Sequence, residues 1–315
     1  MKKVSVIVPF YNEEAALPAL FDRLSALMDS LPSYEWEILM VNDGSTDHSD
    51  ILAAQMRTKD CRFQHIELSR NFGKEAAMLA GFDCATGDCA VIMDADLQHP
   101  PEVVPAMLAK WEEGFDDVYG ERVSRGNESW LRRKASILYY KLLRKSTRGD
   151  VLPNVGDFRL LDRSCVDALK QLRETHRYTK GLFCFIGFKK ANVPFEQASR
   201  EKGSTKWSLA KLLSLAIEGL TSHTTLPLRI ATFLGSVVSA GAIIYLIYIV
   251  LKTLIVGEPV AGYPTLMVTI LFLGGVILLT IGIIGEYIAR IFDETKNRPS
   301  YFIRRINGTT PGQNG

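Results

Sequence analysis

Short apolar runs alternate with amphipathic stretches through the first two thirds of the chain. Four runs have the length and β-branched composition of buried strands, and they cover residues 4–8, 37–41, 63–68 and 90–93. Between them, apolar positions recur at helical spacing, first at Leu17, Leu20, Phe21, Leu24, Leu27 and Met28. Residues 74–85 also have apolar positions at helical spacing. This alternation predicts an α/β fold with a mostly parallel sheet.

The last third of the chain follows a different pattern. Residues 230–251 contain no charged side chain, and as a helix they would rise about 33 Å, enough to cross a bilayer. A second apolar run over 266–285 follows a short connector that contains Pro259, Gly262 and Pro264. The pattern predicts a two-span transmembrane hairpin. Two buried core helices are the alternative, but a soluble domain rarely holds two such runs side by side.

Charges beside the two runs predict their orientation. Arg229 precedes the first run and Lys252 is the lysine of the connector, whereas the second run is followed by Arg290, Lys296, Arg298, Arg304 and Arg305. This asymmetry places both termini in the cytosol. Ahead of the hairpin, apolar positions at helical spacing beside Lys206 favour a helix in the membrane surface, with a core helix as the open alternative. The predicted organisation is a cytosolic α/β domain over 1–205, a juxtamembrane amphipathic helix over 206–228, the hairpin over 229–290 and a cytosolic tail over 291–315.

Composition limits the other functions that need consideration. The 37 cationic and 35 anionic side chains nearly cancel, so there is no general electrostatic case for nucleic-acid binding. The five cysteines lack the spacing of metal ligands and are expected to be reduced. The first apolar run is broken at once by Asn12, Glu13 and Glu14, which is typical of a strand and not of a signal peptide.

Carboxylates follow two of the predicted strands at the end where parallel sheets bind ligands. Asp94 and Asp96 directly follow the fourth strand, and their mutual repulsion favours a bound cation. Oxygen ligands suit Mg²⁺ or Mn²⁺, which commonly bridge to substrate phosphates. Gln98 would ligate the ion directly or orient a metal-bound water, and a solvated Asp-rich turn is the alternative.

Asp43 ends the second strand, where its carboxylate can accept hydrogen bonds from a base or ribose. The polar side chains that follow it are expected to cap the next helix. They are Ser45, Thr46 and Asp47.

Four motifs at these strand ends carry a family resemblance. They are Val6-Ile7-Val8-Pro9-Phe10-Tyr11-Asn12-Glu13, Val41-Asn42-Asp43-Gly44-Ser45, Ser69-Arg70-Asn71-Phe72-Gly73-Lys74 and Asp94-Ala95-Asp96-Leu97-Gln98-His99-Pro100-Pro101. Together they resemble the inverting family 2 glycosyltransferases. More closely, the chain is similar to polyprenyl-phosphate glycosyltransferases, a group that includes dolichyl-phosphate mannose synthase and the bacterial bactoprenol glucosyltransferases of O-antigen modification. The likeness extends from Val4 to Arg305 and includes the two-span tail.

The resemblance implies a GT-A fold, with a Rossmann-like sheet, and assigns roles to individual residues. The nucleotide sugar would contact Pro9, Tyr11, Glu13, Asp43, Lys74, Asp94, Ala95 and Gln98. The metal, Mg²⁺ or Mn²⁺, would be held by Asp94, Asp96 and Gln98. The acceptor phosphate would meet Arg122, Arg132, Arg200 and Lys206, whose charges offset its repulsion from the donor diphosphate. The catalytic residues would be Asp157, Asp96 and Arg122. Asp157 would act either as a base or as a group that orients the acceptor or Arg159.

The function implied is inverting transfer of glucose from UDP-glucose to undecaprenyl phosphate, at the cytosolic face of a bacterial inner membrane. The motif Gln-x-x-Arg-Trp of processive polysaccharide synthases is missing, which favours a single transfer. The same reaction with GDP-mannose, UDP-N-acetylglucosamine or a UDP-aminopentose stays open. So does a non-catalytic membrane protein that binds or translocates glycolipid. Relatives imply a homo-oligomer, with a tetramer among the options.

Overall fold

The computed structural model describes residues 1–123, 155–175, 177–196 and 262–310, together with scattered positions between 228 and 255. The chain divides into two compact units. The first consists of Met1–Trp207 with Arg298–Gly315, and the second of Ser208–Asn297.

Strands and helices alternate along most of the first unit, as the hydrophobic pattern predicts. Its strands are β1 (Lys2–Phe10), β2 (Tyr34–Asn42), β3 (Phe63–Leu68), β4 (Cys89–Ile92), β5 (Asp117–Arg122), β6 (Val155–Asp162), β7 (Lys190–Phe195) and β8 (Ile303–Ile306). Its helices are α1 (Leu17–Ser30), α2 (Ser49–Lys59), α3 (Lys74–Cys84), α4 (Val104–Glu112), α5 (Arg163–Gln171) and α6 (Thr179–Phe185), with a 3₁₀ turn over Pro101–Val103.

The strands form one sheet in the order β7-β5-β6-β4-β1-β2-β3-β8. The central block β3-β2-β1-β4 is parallel throughout, and β7 is parallel to β5. β6 runs antiparallel to both β4 and β5, and β8 runs antiparallel to β3. This is the mixed, Rossmann-like sheet of the GT-A fold, and the carboxyl ends of β1, β2, β3 and β4 meet at one edge.

Strand β1 shows why its sequence reads as one continuous apolar run. Val6 and Val8 pack in the core cluster that contains Leu20 and Leu24 of α1, while Ile7 packs in the opposite cluster with Phe82 of α3. Successive side chains of a strand point to opposite faces, and helices cover both faces here, so most of the central positions are apolar. The buried exception is Ser5, whose hydroxyl donates to Glu37.

The last strand was not anticipated from the sequence, which predicts a tail beyond residue 291. β8 joins the sheet beside β3, with Ile66 opposite Ile306 and Glu67 opposite Arg305. A register shift lies between Glu67 and Leu68. The tail thus returns to complete the edge of the sheet.

In the second unit, the described positions between Leu228 and Ile255 are helical, and a helix that we label α7 spans Tyr263–Thr295. Within it, Phe272–Thr295 is long and apolar enough to cross a membrane, and no other helix among the described residues meets that test. The predicted second span, residues 266–285, lies inside α7. The first predicted span and the helix predicted over 206–228 lie largely or wholly outside the described residues.

Candidate active site

The loops after β1 and β2 are locked to each other by side-chain hydrogen bonds. Asn12 adopts a left-handed backbone conformation, and its Oδ1 accepts a hydrogen bond from the backbone N–H of Thr46 at 2.8 Å. In return, the N–H of Asn12 donates to Ser45 Oγ at 3.1 Å. Tyr11 remains 43% exposed beside this junction, and Pro9 lies within β1.

These bonds correct one prediction about the start of α2. Ser45 and Thr46 do not cap the helix, because they bind the Asn12 loop instead. Asp47 accepts at its Oδ1 from the N–H of Ser49, the first residue of α2, at 3.0 Å. The N-cap position itself is His48, whose side chain makes no capping hydrogen bond. Glu13 joins the same junction, its N–H donating to Ser49 Oγ at 2.9 Å.

Asp43 connects the end of β2 to the loop between β3 and α3. Its Oδ1 accepts from the N–H of Phe72 at 2.7 Å and its Oδ2 from the N–H of Gly73 at 2.9 Å. Burial raises the pKa of this carboxyl and outweighs the two N–H groups, which lower it. Gly44 permits the close approach of the two loops, because a Cβ there would lie 2.6 Å from the carbonyl carbon of Arg70. Each Asp43 oxygen retains further acceptor capacity for a ligand.

The loop after β4 is held by a buried histidine that sequence analysis did not assign to the site. His99 is 1% exposed and stacks on Phe158, with ring centroids 4.9 Å apart. Its Nδ1 accepts from the backbone N–H of Asp94 at 3.0 Å. Burial lowers the pKa of His99 and outweighs the attraction of Asp94, which raises it. A neutral ring that accepts at Nδ1 carries its proton on Nε2.

The same loop contains a strained residue beside its carboxylates. Leu97 has a positive φ of 61°, which costs a non-glycine residue free energy and is typical of functional loops. Asp96 Oδ1 accepts from the N–H of Gln98 at 3.1 Å, and Ala95 is buried between the two aspartates. The tight turn therefore keeps Asp94, Asp96 and Gln98 within a few residues at one strand end.

Lys74, the first residue of α3, lies between two carboxylates that are distant in sequence. Its Nζ is 2.5 Å from Asp94 Oδ1 and 2.8 Å from Asp157 Oδ2. Burial disfavours the charged ammonium, but Asp157 and Asp94 outweigh it and raise the pKa of Lys74. Burial likewise opposes ionisation of Asp157, yet Lys74 and Lys180 hold the pKa of that carboxyl below its usual value. Lys74 and Asp157 are thus both charged at neutral pH.

Asp157 is exposed only to 11%, and its Oδ1 has no hydrogen-bond partner among the described residues. The sequence leaves open that Asp157 orients Arg159. The Arg159 guanidinium instead donates to both oxygens of Asp117, at 3.0 and 2.8 Å, and stacks 3.8 Å over the ring of Phe183. Asp157 therefore faces Lys74 with one oxygen and retains the other for a ligand.

Arg122 reaches the same region from the end of β5. A Cβ built on Gly156 would lie 3.6 Å from its guanidinium and 3.9 Å from His99 Nε2. Glycine at position 156 thus leaves space between Arg122 and the histidine beneath the Asp94 loop. Arg122 Nε is buried without a hydrogen-bond partner among the described residues. The predicted phosphate contacts Arg132, Arg200 and Lys206 lie outside the described residues.

The protein side chains at this strand end could hold a metal ion only if a substrate supplied further ligands. Among the described residues, no group of three or more His, Cys, Asp or Glu side chains could hold an ion. Asp94, Asp96 and Gln98 offer hard oxygen atoms, which fit Mg²⁺ or Mn²⁺ completed by phosphate oxygens and water. Asp94 Oδ1 is ion-paired with Lys74 at 2.5 Å, and a carboxylate has further lone pairs that can bind a cation beside one such contact. The residues present fit such an ion.

The chain matches two family models. Residues 5–170 match the model described as glycosyl transferase family 2, and residues 226–291 match the GtrB C-terminal hairpin. These two segments correspond to the sheet with its strand-end site and to the apolar second unit.

Two curated relatives are similar over nearly their whole length. The chain is 43% identical to the prophage bactoprenol glucosyl transferase homolog of Escherichia coli (strain K12) over 304 residues, which are 96% of this chain and 99% of that protein. It is 40% identical to the SfII prophage-derived bactoprenol glucosyl transferase of Shigella flexneri over 309 residues, 98% of this chain and 100% of that protein.

One solved structure extends the likeness to the fold. Glucosyl-3-phosphoglycerate synthase from Mycobacterium tuberculosis, in complex with Mn²⁺, UDP and phosphoglyceric acid, superposes with a TM-score of 0.51. The match covers 69% of this chain and 75% of that chain at 21% identity. At that identity the likeness concerns the fold alone.

Proposed function

The chain belongs to the family 2 glycosyltransferases, and we propose that it transfers glucose from UDP-glucose to undecaprenyl phosphate with inversion at the anomeric carbon. One observation carries this proposal: the 40–43% identity to a bactoprenol glucosyl transferase and to a bactoprenol glucosyl transferase homolog extends over both units, sheet and apolar hairpin together. The strand-end carboxylates and cations supply the chemistry that such a transfer requires.

We propose that the donor lies across the carboxyl ends of β1, β2 and β4. Tyr11 and Asp43 would hold the nucleotide, with Pro9 and Glu13 beside them. Asp94, Asp96 and Gln98 would hold Mg²⁺ or Mn²⁺ against the diphosphate. When bound, that ion would stabilise the negative charge that develops on the leaving diphosphate.

In the proposed reaction, an acceptor phosphate oxygen forms a bond to the anomeric carbon of glucose. The bond from that carbon to the β-phosphate oxygen breaks, and UDP leaves with the electron pair. A phosphate monoester has a second pKa near 6, so its attacking oxygen is largely deprotonated at neutral pH. Asp157 is therefore proposed to orient substrate with Lys74 and not to serve as a strong base.

Lys74 has a specific place in this proposal. Its ammonium compensates Asp94 and Asp157 at distances of 2.5 and 2.8 Å, so a cation is fixed where the anionic donor arrives. A preorganised charge of this kind stabilises the transition state without reorganisation during the reaction. Arg122 is proposed to hold the acceptor phosphate, together with Arg132, Arg200 and Lys206 from outside the described residues.

The hairpin match and the apolar helix α7 indicate that the protein associates with a membrane. We propose two spans, with the catalytic domain and both termini cytosolic, because the cations cluster outside the connector. The acceptor phosphate would then meet the site at the cytosolic face of a bacterial inner membrane. A homo-oligomer is proposed as well, with small residues such as Gly274 and Gly275 available for helix packing.

A donor panel tests the function. Purified full-length protein is incubated with undecaprenyl phosphate and, in separate reactions, radiolabelled UDP-glucose, GDP-mannose, UDP-N-acetylglucosamine and a UDP-aminopentose. Label from UDP-glucose should enter the lipid phase with the highest kcat/KM. Preferential transfer from another donor would replace glucose in the proposal, and no nucleotide release with any donor would favour a non-catalytic glycolipid-binding protein.

A further inference from the structure

The C-terminal strand β8 is attached to the sheet at several points. Asn307 exchanges hydrogen bonds with His65, accepting at its Oδ1 from the N–H of His65 at 2.9 Å and donating its own N–H to the carbonyl at 2.7 Å. Arg304 donates to Glu67 Oε1 at 3.0 Å. Tyr301 donates its hydroxyl to Asp83. These contacts attach the tail to β3 and to the end of α3.

At the other end of the tail, Phe302 contacts the loop between β3 and α3. Its carbonyl accepts from the backbone N–H of Ser69 at 2.9 Å. Its ring lies 6.3 Å from the ring of Phe72, centroid to centroid. The Arg70 guanidinium also lies over the Phe72 ring, 4.1 Å from its centroid. Phe72 thus contacts both the exposed arginine of the loop and the tail.

This loop is the one that organises the proposed donor site. The N–H groups of Phe72 and Gly73 bind the two oxygens of Asp43 at 2.7 and 2.9 Å. The next residue, Lys74, carries the ammonium that contacts Asp94 and Asp157. Any displacement of Phe72 therefore shifts a carboxylate proposed for the nucleotide and a cation proposed for the diphosphate.

Phe302 has little reason to be aromatic for stability alone. It is 57% exposed, so removal of its ring uncovers little core. Its neighbours Tyr301 and Ile303 pack against the core cluster that contains Phe82 and hold the strand in place. Among the described residues, the aromatic contact of the Phe302 ring is the one with Phe72, which itself packs against the same core cluster.

We infer that Phe302 is a positioning residue for the nucleotide-sugar donor: through Phe72 it holds the loop over residues 69–73 in the conformation that presents Asp43 and Lys74. The inference rests on the proposed function, which identifies the donor as a nucleotide sugar. Phe302 lies on the segment of chain, residues 296–302, that joins α7 to β8.

The test compares three variants of the full-length protein. Phe302→Ala removes the ring, Phe302→Tyr keeps it, and Asn307→Ala weakens β8 at the end away from the loop. Asn307 has a positive φ of 52°, where alanine is strained, so Asn307→Ala should loosen the strand at least as much as Phe302→Ala. It is therefore the control for general weakening of the tail.

An aromatic contact of this kind corresponds to an effect of about two- to tenfold. We expect Phe302→Ala to raise the Kd for UDP with Mg²⁺ and the KM for UDP-glucose by that factor, with the KM for undecaprenyl phosphate unchanged. Phe302→Tyr should match wild type, and Asn307→Ala should keep the wild-type donor KM. Hydrogen exchange at the Phe72 and Gly73 amides should accelerate in Phe302→Ala alone.

Two results would overturn the inference. Unchanged exchange at Phe72 and Gly73 in Phe302→Ala would show that the ring does not hold the loop, whatever the enzyme transfers. Equal effects of Phe302→Ala and Asn307→Ala on donor KM would assign the loss to general weakening of β8. Failure of the proposed function looks different: wild-type protein would bind no UDP and transfer no sugar, while the exchange at the loop still responded to Phe302→Ala.

Discussion

Lys74 Nζ and Asp157 Oδ2 lie 2.8 Å apart, although 83 positions separate the two residues in the sequence. Lys74 begins α3 after the third parallel strand, whereas Asp157 lies in the antiparallel strand β6. Asp94 approaches the same ammonium at 2.5 Å. The Lys74 ammonium thus links α3 to the loop after β4 and to β6. The charge balance of the site depends on this one cation.

Replacement of Lys74 by Met should abolish most of the activity. The variant removes the ammonium while keeping most of the apolar stem, so Asp94 and Asp157 lose their shared counter-charge. We expect kcat to fall by about a hundredfold or more, as for other preorganised charges. The free energy of unfolding should fall by less than about 3 kcal/mol, because 41% of the Lys74 side chain is exposed. Steady-state kinetics and urea unfolding measure the two effects.

Lys110→Met is the matched control, since Lys110 has the same 41% exposure and pairs with Glu113 on the surface of α4. It should leave kcat unchanged. Wild-type turnover in Lys74→Met would exclude the lysine from catalysis.

Asp157→Asn removes the opposite charge of the central pair and should keep measurable activity, because an ionised phosphate needs orientation more than deprotonation.

Neutralisation of Lys206 should damage acceptor use more than donor binding. Lys206→Met keeps the apolar stem and removes the charge that is proposed to hold the lipid phosphate at the membrane surface. We expect a higher KM for undecaprenyl phosphate with little change in the Kd for UDP. Lys202→Met serves as the control, because Lys202 lies in the same basic segment and the sequence favours an ordinary solvated lysine there. A parallel loss of UDP binding in Lys206→Met would contradict the assignment.

The connector of the hairpin should be accessible from outside the cell. A cysteine introduced at Ala261 is expected to react with an impermeant thiol reagent in intact cells, because the charge asymmetry places the connector opposite the cytosol. Cys61, which is exposed on the first unit, should react only after the membrane is permeabilised. Labelling of Cys61 in intact cells would reverse the topology.

Glu37 should make stability depend on pH in the acidic range. Burial raises the pKa of this carboxyl, but hydrogen bonds from Ser5, Thr86 and Lys3 outweigh it and lower the pKa below its ordinary value of 4.5. The carboxylate therefore contributes stability above that value, and the contribution is lost as pH falls through the lower folded-state pKa. We expect the hydrogen bonds to the ionised Glu37 to contribute about 1.5–3 kcal/mol to the free energy of unfolding.

Thermal unfolding of Glu37→Gln across pH checks this expectation. The variant should be less stable than wild type at neutral pH, and the difference should shrink as the pH falls below the ordinary value. Glu35→Gln is the control, because Glu35 is 62% exposed and its replacement should give little difference at any pH. A Glu37→Gln difference that is constant with pH would contradict the assignment.

Local patterns sufficed to predict the four strands of the central parallel block and the polar residues that follow them, but not the parallel pairing of β7 with β5. β1 and β2 are longer than predicted, because strand ends also include polar residues such as Lys2 and Asn42. The proximity of Asp43 and Asp94 to the same edge follows from the parallel topology alone. Their roles in binding remain predictions.

Contacts that depend on three-dimensional geometry could not be predicted. His99 supports the Asp94 backbone through a turn whose strained Leu97 leaves no sequence pattern. β8 was missed because Ile303–Ile306 is short and carries two arginines, which fit the basic flank of a membrane span. Its partner Glu67 lies 237 positions from Arg304, and no local pattern reports such a pairing.

The most direct test of the central claim is the anomeric configuration of the product. Full-length protein is incubated with UDP-glucose, undecaprenyl phosphate and Mg²⁺, and the lipid product is analysed by the proton NMR coupling at the anomeric position. The account predicts a β-linked glucosyl phosphate, one UDP released per glucose transferred, and no product from Asp96→Ala or in excess EDTA. An α-linked product, or full transfer after the metal has been removed, would contradict it.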